Sequence, residues 1–264
     1  MKYCRFVLDG SSHFGCIETI AGREEITRTL AFPPDKSGLE SGAKKIPHIP
    51  LDEATLLAPV EPSKIVCVGR NYREHAAELG HDVPAEPLIF LKPPSSLLAP
   101  EDPIVLPPAV GRVDFEGELA VIISKECSQL RDGDDIRPYI AGYTCLNDVS
   151  ARDYQALDKQ WTRAKSFDTF CPLGPVLETV FDIASGTVET LLNGVRKQYS
   201  AFTAMVFPVD VIIPWVSRVM TLVPGDVIAT GTPAGVGPMQ PGDTVEVVLS
   251  GIGTLRNPVI ARSA

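Results

Sequence analysis

Apolar positions along this chain come mostly as short runs broken by prolines and glycines, a rhythm that predicts strands more often than helices. PLIFLK, ELAVIIS, YIAGYTCL, LGPVLET, DVIATG and DTVEVVL each read as a strand. Lys64 to Val68, KIVCV, reads as a fully buried strand that stops where the chain must turn at Gly69. Before it stand two weaker strand-like runs, YCRFVLD and HFGCIETI. A stretch from Pro33 to Pro50, rich in Pro, Gly, Ser and Lys, then predicts an exposed connection. Asn193-Gly194, between VETLL and VRKQY, predicts a type I′ hairpin. Pro224-Gly225-Asp226 and Pro241-Gly242-Asp243 each launch an apolar strand.

Helical signals are fewer. In NYREHAAELG, Asn71 and Glu74 have the spacing of an N-cap and its N3 partner, and Gly80 offers a stop. A helix this short needs packing or a ligand to hold it, which makes it a candidate mobile lid. Ala151 to Lys159 follows a Ser150 cap, and Val209 to Met220 contains Pro214, which predicts an early kink. The whole predicts a mixed α/β, β-rich fold: a small N-terminal β domain with its linker over 1–60 and a main domain over 61–264.

Charge narrows the choice of partner. With 33 acidic and 24 basic residues the formal charge is -9, which argues against nucleic acid and anionic membrane. An anionic small molecule stays open, because a bound cation reverses the field inside a cleft. Six scattered cysteines without a CxxC pair read as reduced core thiols. MKYCRFVLDG has no leader-like apolar run, and nowhere do about 18 apolar residues follow one another. A cytoplasmic protein is the expectation.

The chemistry concentrates around VDFEGELAVII. Glu116 and Glu118 stand two apart, so on a strand both carboxylates share a face, at the mouth of the buried run Leu119 to Ile123. A solvated edge would tolerate that pair, whereas a buried one demands a counter-charge such as a bound cation. Asp148 closes the apolar strand YIAGYTCLND just before a helix start, where a buried strand delivers a side chain to a cleft. Three oxygen donors without His or Cys suit a hard ion, Mg²⁺ or Mn²⁺ before Ca²⁺. His75 and Glu78 share a face of the short helix, as an imidazole and its orienting carboxylate or as a surface pair. Lys165 has no local feature that separates it from a solvated lysine. Thr230-Gly231-Thr232-Pro233 reads first as a structural turn and second as an anion-facing loop.

Taken in order, VGRNYREHAAELG, PLIFLKPPSSL, VDFEGELAVII, GYTCLNDVSARDYQ, RAKSFDTFCPLGP, LVPGDVIATGTPAGVGP and QPGDTVEV resemble the fumarylacetoacetate hydrolase family over roughly residues 60 to 260. The resemblance implies a β-roll catalytic domain, usually in a homodimer, with Mg²⁺ or Mn²⁺ held at Glu116, Glu118 and Asp148. It implies a His75 and Glu78 dyad on a lid that orders over the substrate, and an active-site lysine at Lys165. Arg152, Gln155 and Thr232 match substrate-contacting positions, and Arg70 and Lys92 match basic residues near the site. The family's founding animal hydrolase has further ligands and a long N-terminal domain that this chain lacks, so its substrate does not carry over.

The match is nearer to acylpyruvases, oxaloacetate decarboxylases and 2-hydroxyhepta-2,4-diene-1,7-dioate isomerases. The expected reaction is hydrolytic C–C cleavage of an acylpyruvate-like 2,4-diketo acid through a metal-bound enolate, with the dyad activating water. Decarboxylation and isomerisation on the same site are the alternatives. A metal-dependent small-molecule binding protein without turnover is the alternative of a different class.

Overall fold

A computed structural model describes residues 1–30 and 43–262. Its centre is the strand Gly117–Ile123, buried at every position because, Glu118 apart, GELAVII presents small or apolar side chains to both faces. Ile140–Asn147 pairs antiparallel with it on one side and Val227–Ala229 on the other. Val227–Ala229 runs parallel to Ile65–Gly69, and Leu88–Lys92 continues the sheet antiparallel to that strand. Beyond Ile140–Asn147 come Cys171–Glu178, Lys2–Leu8, Ser11–Ile20, Arg23–Leu30 and Lys44–Pro50, in that order. The N-terminal strands are thus hydrogen-bonded into the sheet that carries the site.

The predicted exposed connection is corrected at Lys44–Pro50, which forms a strand against Arg23–Leu30. Ile46 and Ile49 pack on the main core, and a terminal strand tolerates prolines because part of its ladder stays unpaired. Residues 33–42 of that connection lie outside the described residues.

A second sheet of five strands runs in the order Val195–Ala201, Thr187–Leu192, Thr244–Leu249, Gly253–Ala261 and Ile104–Leu106. Its first hairpin turns at Asn193 and Gly194, with φ of 54° and 75°, the two positive values a type I′ turn requires. Val188, Val247, Leu249 and Leu255 of this sheet share a core with Leu119, Val121 and Cys145 of the large one. A small third sheet places Val113–Phe115 between Ser150–Ala151 and Gly237–Pro238.

The α-helices among the described residues are α1 Arg73–Glu78, α2 Arg152–Asp158, α3 Thr162–Lys165 and α4 Val209–Val219. Helix α4 buries Ile212, Ile213 and Val216 and continues past Pro214. Helix α1 does form, but Asn71 does not cap it. That side chain is fully buried, its Oδ1 accepts from the Phe207 amide, and its Nδ2 donates to the Phe207 and Thr230 carbonyls. Stitching three chain segments satisfies more buried backbone groups than capping one solvent-facing helix end. Ser150 likewise is no cap: its Oγ donates to the Asp148 carbonyl, and α2 starts after Ala151. All six cysteines are free and buried.

Candidate active site

The antiparallel register explains how acids far apart in sequence meet. Gly117 lies opposite Asn147, which sets Glu116 beside Asp148, and the Asp148 amide donates to the Glu116 carbonyl at 2.8 Å. The Asn147 side chain accepts from the Glu116 amide at 2.9 Å and fixes the break between Val113–Phe115 and Gly117–Ile123. One carboxylate oxygen from each of Glu116, Glu118 and Asp148 lies within 4.8 Å of the others, and all three residues are buried.

Cations surround two of these carboxylates. Lys165, on the last turn of α3, puts Nζ 2.7 Å from Glu116 Oε2 and 2.5 Å from Asp148 Oδ2. Lys92 Nζ reaches Asp148 Oδ1 at 2.6 Å, and Arg152 Nη2 reaches Glu116 Oε1 at 2.6 Å. Glu118 has no ion pair among the described residues, and its Oε2 accepts from the Gly231 amide at 2.7 Å. The TGTP turn thus spends that amide on the protein's own carboxylate.

The electrostatics follow. Burial, then the charges of Asp148 and Glu116, push the Glu118 carboxyl well above the ordinary carboxylate value. Burial acts the same way on Glu116, but the Lys165 ammonium and the Arg152 guanidinium outweigh it and hold this carboxyl low. Burial disfavours the Lys165 ammonium, and Asp148 and Glu116 more than compensate, so it stays charged. The donor set fits a hard divalent cation: oxygen ligands alone, buried, one of them lacking a positive partner.

The site opens into a cavity of about 390 Å³ whose wall includes Arg70, His75, Glu116, Glu118, Asp148, Arg152, Gln155, Lys165 and Thr232. His75 is buried, and its Nδ1 lies 3.3 Å from Glu78 Oε2. Glu78 stands behind it at the solvent edge, where its two oxygens accept from the Gly235 amide at 3.1 and 3.2 Å. Gln155 accepts from Arg152 Nη1 at 2.9 Å, and Thr232 Oγ1 donates to the Gly117 carbonyl at 2.9 Å. Lys92, expected as a basic residue near the site, stands beside it on Asp148. Its ammonium is fully buried behind Asp148 and is not part of the cavity wall.

Three further side chains shape the site. Asp114, fully buried, accepts from Arg112 and from Arg152 Nε, and so aims the guanidinium that meets Glu116. Its signal was in view, since it continues the two-residue spacing of Glu116 and Glu118. Gln198 ties the Gly117 amide to Thr232 and to the Pro233 carbonyl, and nothing in VRKQY marks it. Trp161 lies on the cavity wall one turn before Lys165. No helix among the described residues is long and apolar enough to cross a membrane.

Fold and site together define a β-rich protein with a buried three-carboxylate pocket beside a histidine. The family model "Fumarylacetoacetate (FAA) hydrolase C-terminal" matches residues 64–260, and "Rv2993c-like, N-terminal" matches 1–59. The chain belongs to the fumarylacetoacetate hydrolase family and is an enzyme of that family. It is 50% identical over 216 residues to Protein Rv2993c of Mycobacterium tuberculosis, covering 81% of each chain. It is 42% identical over 230 residues to the mitochondrial oxaloacetate tautomerase Fahd2a of Rattus norvegicus, covering 83% of this chain and 73% of that one. The crystal structure of 2-hydroxyhepta-2,4-diene-1,7-dioate isomerase from Mycobacterium marinum superposes over 100% of both chains, with a TM-score of 0.88 and 42% identity.

Proposed function

We propose that this protein is a divalent-cation-dependent enzyme that moves a proton at the carbon beside the 2-oxo group of a small 2-oxo acid, interconverting keto and enol forms. The observation that carries the reading is that His75, buried and backed by Glu78, faces the same cavity as Glu116, Glu118 and Asp148. Those three carboxylates would hold Mg²⁺ or Mn²⁺, which when bound polarises the carbonyl and offsets the negative charge of the enolate. With Nδ1–H donating to Glu78, His75 Nε2 carries the lone pair that takes the proton and later returns it. Glu78 is itself held by the Gly235 amide, so the imidazole keeps one tautomer and one orientation. Lys165 and Arg152 keep positive charge beside the carboxylates and within reach of an anionic head group. The tautomerase and isomerase among the similar proteins support proton transfer as the chemical step.

Hydrolytic C–C cleavage of an acylpyruvate-like diketo acid is the second reading. It is favoured by the cavity, whose roughly 390 Å³ leaves room for water beside a small oxo acid. Stopped-flow absorbance of enol-oxaloacetate decay, with Mg²⁺ or Mn²⁺ present, tests the first reading, and assaying pyruvate released from acetylpyruvate tests the second. Faster ketonisation without pyruvate release is expected. Pyruvate release with unaccelerated ketonisation would make the protein a hydrolase, and no effect on either substrate would leave a binding protein.

A further inference from the structure

Part of the cavity wall has no role in the chemistry above. It is apolar and built from Val68, Leu79, Phe90 and Trp161. Trp161 is held in place from several directions. A Cβ added at Gly69 would lie 2.5 Å from its Cζ3, so the indole rests directly on the backbone at the end of a buried strand. The Phe90 ring meets it edge-on, with centroids 5.1 Å apart at 73°. The Arg70 guanidinium sits 5.8 Å from the indole centroid, on a residue whose φ is 57°, and the buried Arg70 Nε has no hydrogen-bond partner. The Trp161 carbonyl accepts from the Lys165 amide at 3.0 Å. An indole this constrained is a fixed surface, and Lys165, which touches two of the three carboxylates, lies one helical turn away, about 5.4 Å along the axis. The indole and the three carboxylates line the same cavity, so a 2-oxo acid held at the carboxylates turns its substituent into a space that the indole borders.

We infer that Trp161, with Arg70 over the same ring, is the specificity-determining platform for the substituent of the 2-oxo acid, and that it selects a planar unsaturated group, aryl or conjugated. The inference rests on the reading of the cavity as a 2-oxo acid site. A planar π-system is complementary both to the indole and to a guanidinium plane, whereas a methyl group uses neither. The residues already assigned to proton transfer and cation binding are left as they are, so the platform governs which acid is bound and not what is done to it.

Oxamates test this without turnover, because they keep the carboxylate and the neighbouring oxo group but have no carbon acid. Calorimetric titration of the protein with Mg²⁺ would compare N-phenyloxamate, N-methyloxamate and N-oxalylglycine. The phenyl compound is expected to bind about tenfold more tightly than the methyl one, in line with the worth of an aromatic contact plus the area it buries. Trp161→Leu should bring that ratio close to one with N-methyloxamate affinity unchanged within about twofold, and Trp161→Phe should restore most of it. A merely structural role would weaken all three ligands together and leave the ratio intact, which would overturn the inference. Equal affinity of the phenyl and methyl compounds for the unmodified protein would also overturn it, while leaving the 2-oxo acid reading standing. Tightest binding of N-oxalylglycine, abolished by Arg70→Ala and untouched by Trp161→Leu, would reassign the subsite to a second carboxylate. Failure of all three to bind would remove the 2-oxo acid reading and the platform with it.

Discussion

Lys165→Met separates the electrostatic role of this lysine from its packing. Methionine keeps the unbranched stem against Phe90, whose ring centroid lies 5.0 Å from the ammonium, and removes only the charge. The lost group is 2% exposed and ion-paired to both Glu116 and Asp148. Removing one partner of a buried pair costs about 3–5 kcal/mol, because it strands the opposite charge. Here Arg152 still reaches Glu116 and Lys92 still reaches Asp148, which puts the expected loss at the lower end, about 3 kcal/mol. For a chain of this size that is roughly 6–12 °C in Tm. The same deletion leaves the pocket more negative, so a divalent cation should bind the variant more tightly and raise its Tm by more than it raises the parent's. Differential scanning fluorimetry with EDTA, Mg²⁺ or Mn²⁺ reads both numbers. A metal-free variant as stable as the parent, or one that gains less from metal, would refute the charge accounting.

Two further outcomes follow from the same geometry. Burial and the charges of Asp148 and Glu116 raise the Glu118 carboxyl well above the usual 4.5, so metal-free stability should fall as pH rises from that ordinary value through the folded one. Cation affinity should correspondingly rise with pH, by up to about tenfold per unit while that carboxyl is still protonated, and calorimetry at several pH values should show a proton released per ion bound; pH-independent affinity would contradict it. His75→Gln should lower the rate of enol ketonisation by about 10²–10⁴-fold while Mn²⁺ affinity stays within about twofold, and an equal loss of metal binding would mean that His75 supports the cation pocket instead.

Much of the fold was legible because it is written in local periodicity. The buried runs around Ile65–Gly69, Gly117–Ile123 and Ile140–Asn147 need no partner to be recognised as strands, and Asn193-Gly194 specifies its own turn. The proximity of Glu116 and Asp148 was partly legible, since both sit at ends of apolar strands, although the register that sets them side by side is a long-range property. Lys165 was not distinguishable by local pattern: only the packing of α3 against the strands buries it, and only the family resemblance singled it out. Asn71 misled because an N-cap and a buried amide that ties loops together look the same in sequence. Lys92 ends a strand whose edge is half exposed, yet its own side chain turns inward to Asp148, a choice made by the carboxylate's need for a partner. Gln198 escaped notice because the polar groups it satisfies lie on another strand, at Gly117, and in the turn that carries Thr232 and Pro233.

Anomalous diffraction from crystals soaked in Mn²⁺ addresses the cation pocket most directly. One strong peak bounded by the carboxylates of Glu116, Glu118 and Asp148, and absent in Asp148→Asn crystals, is the predicted result. A peak elsewhere, or none at millimolar Mn²⁺ with the three side chains ordered, would contradict the account.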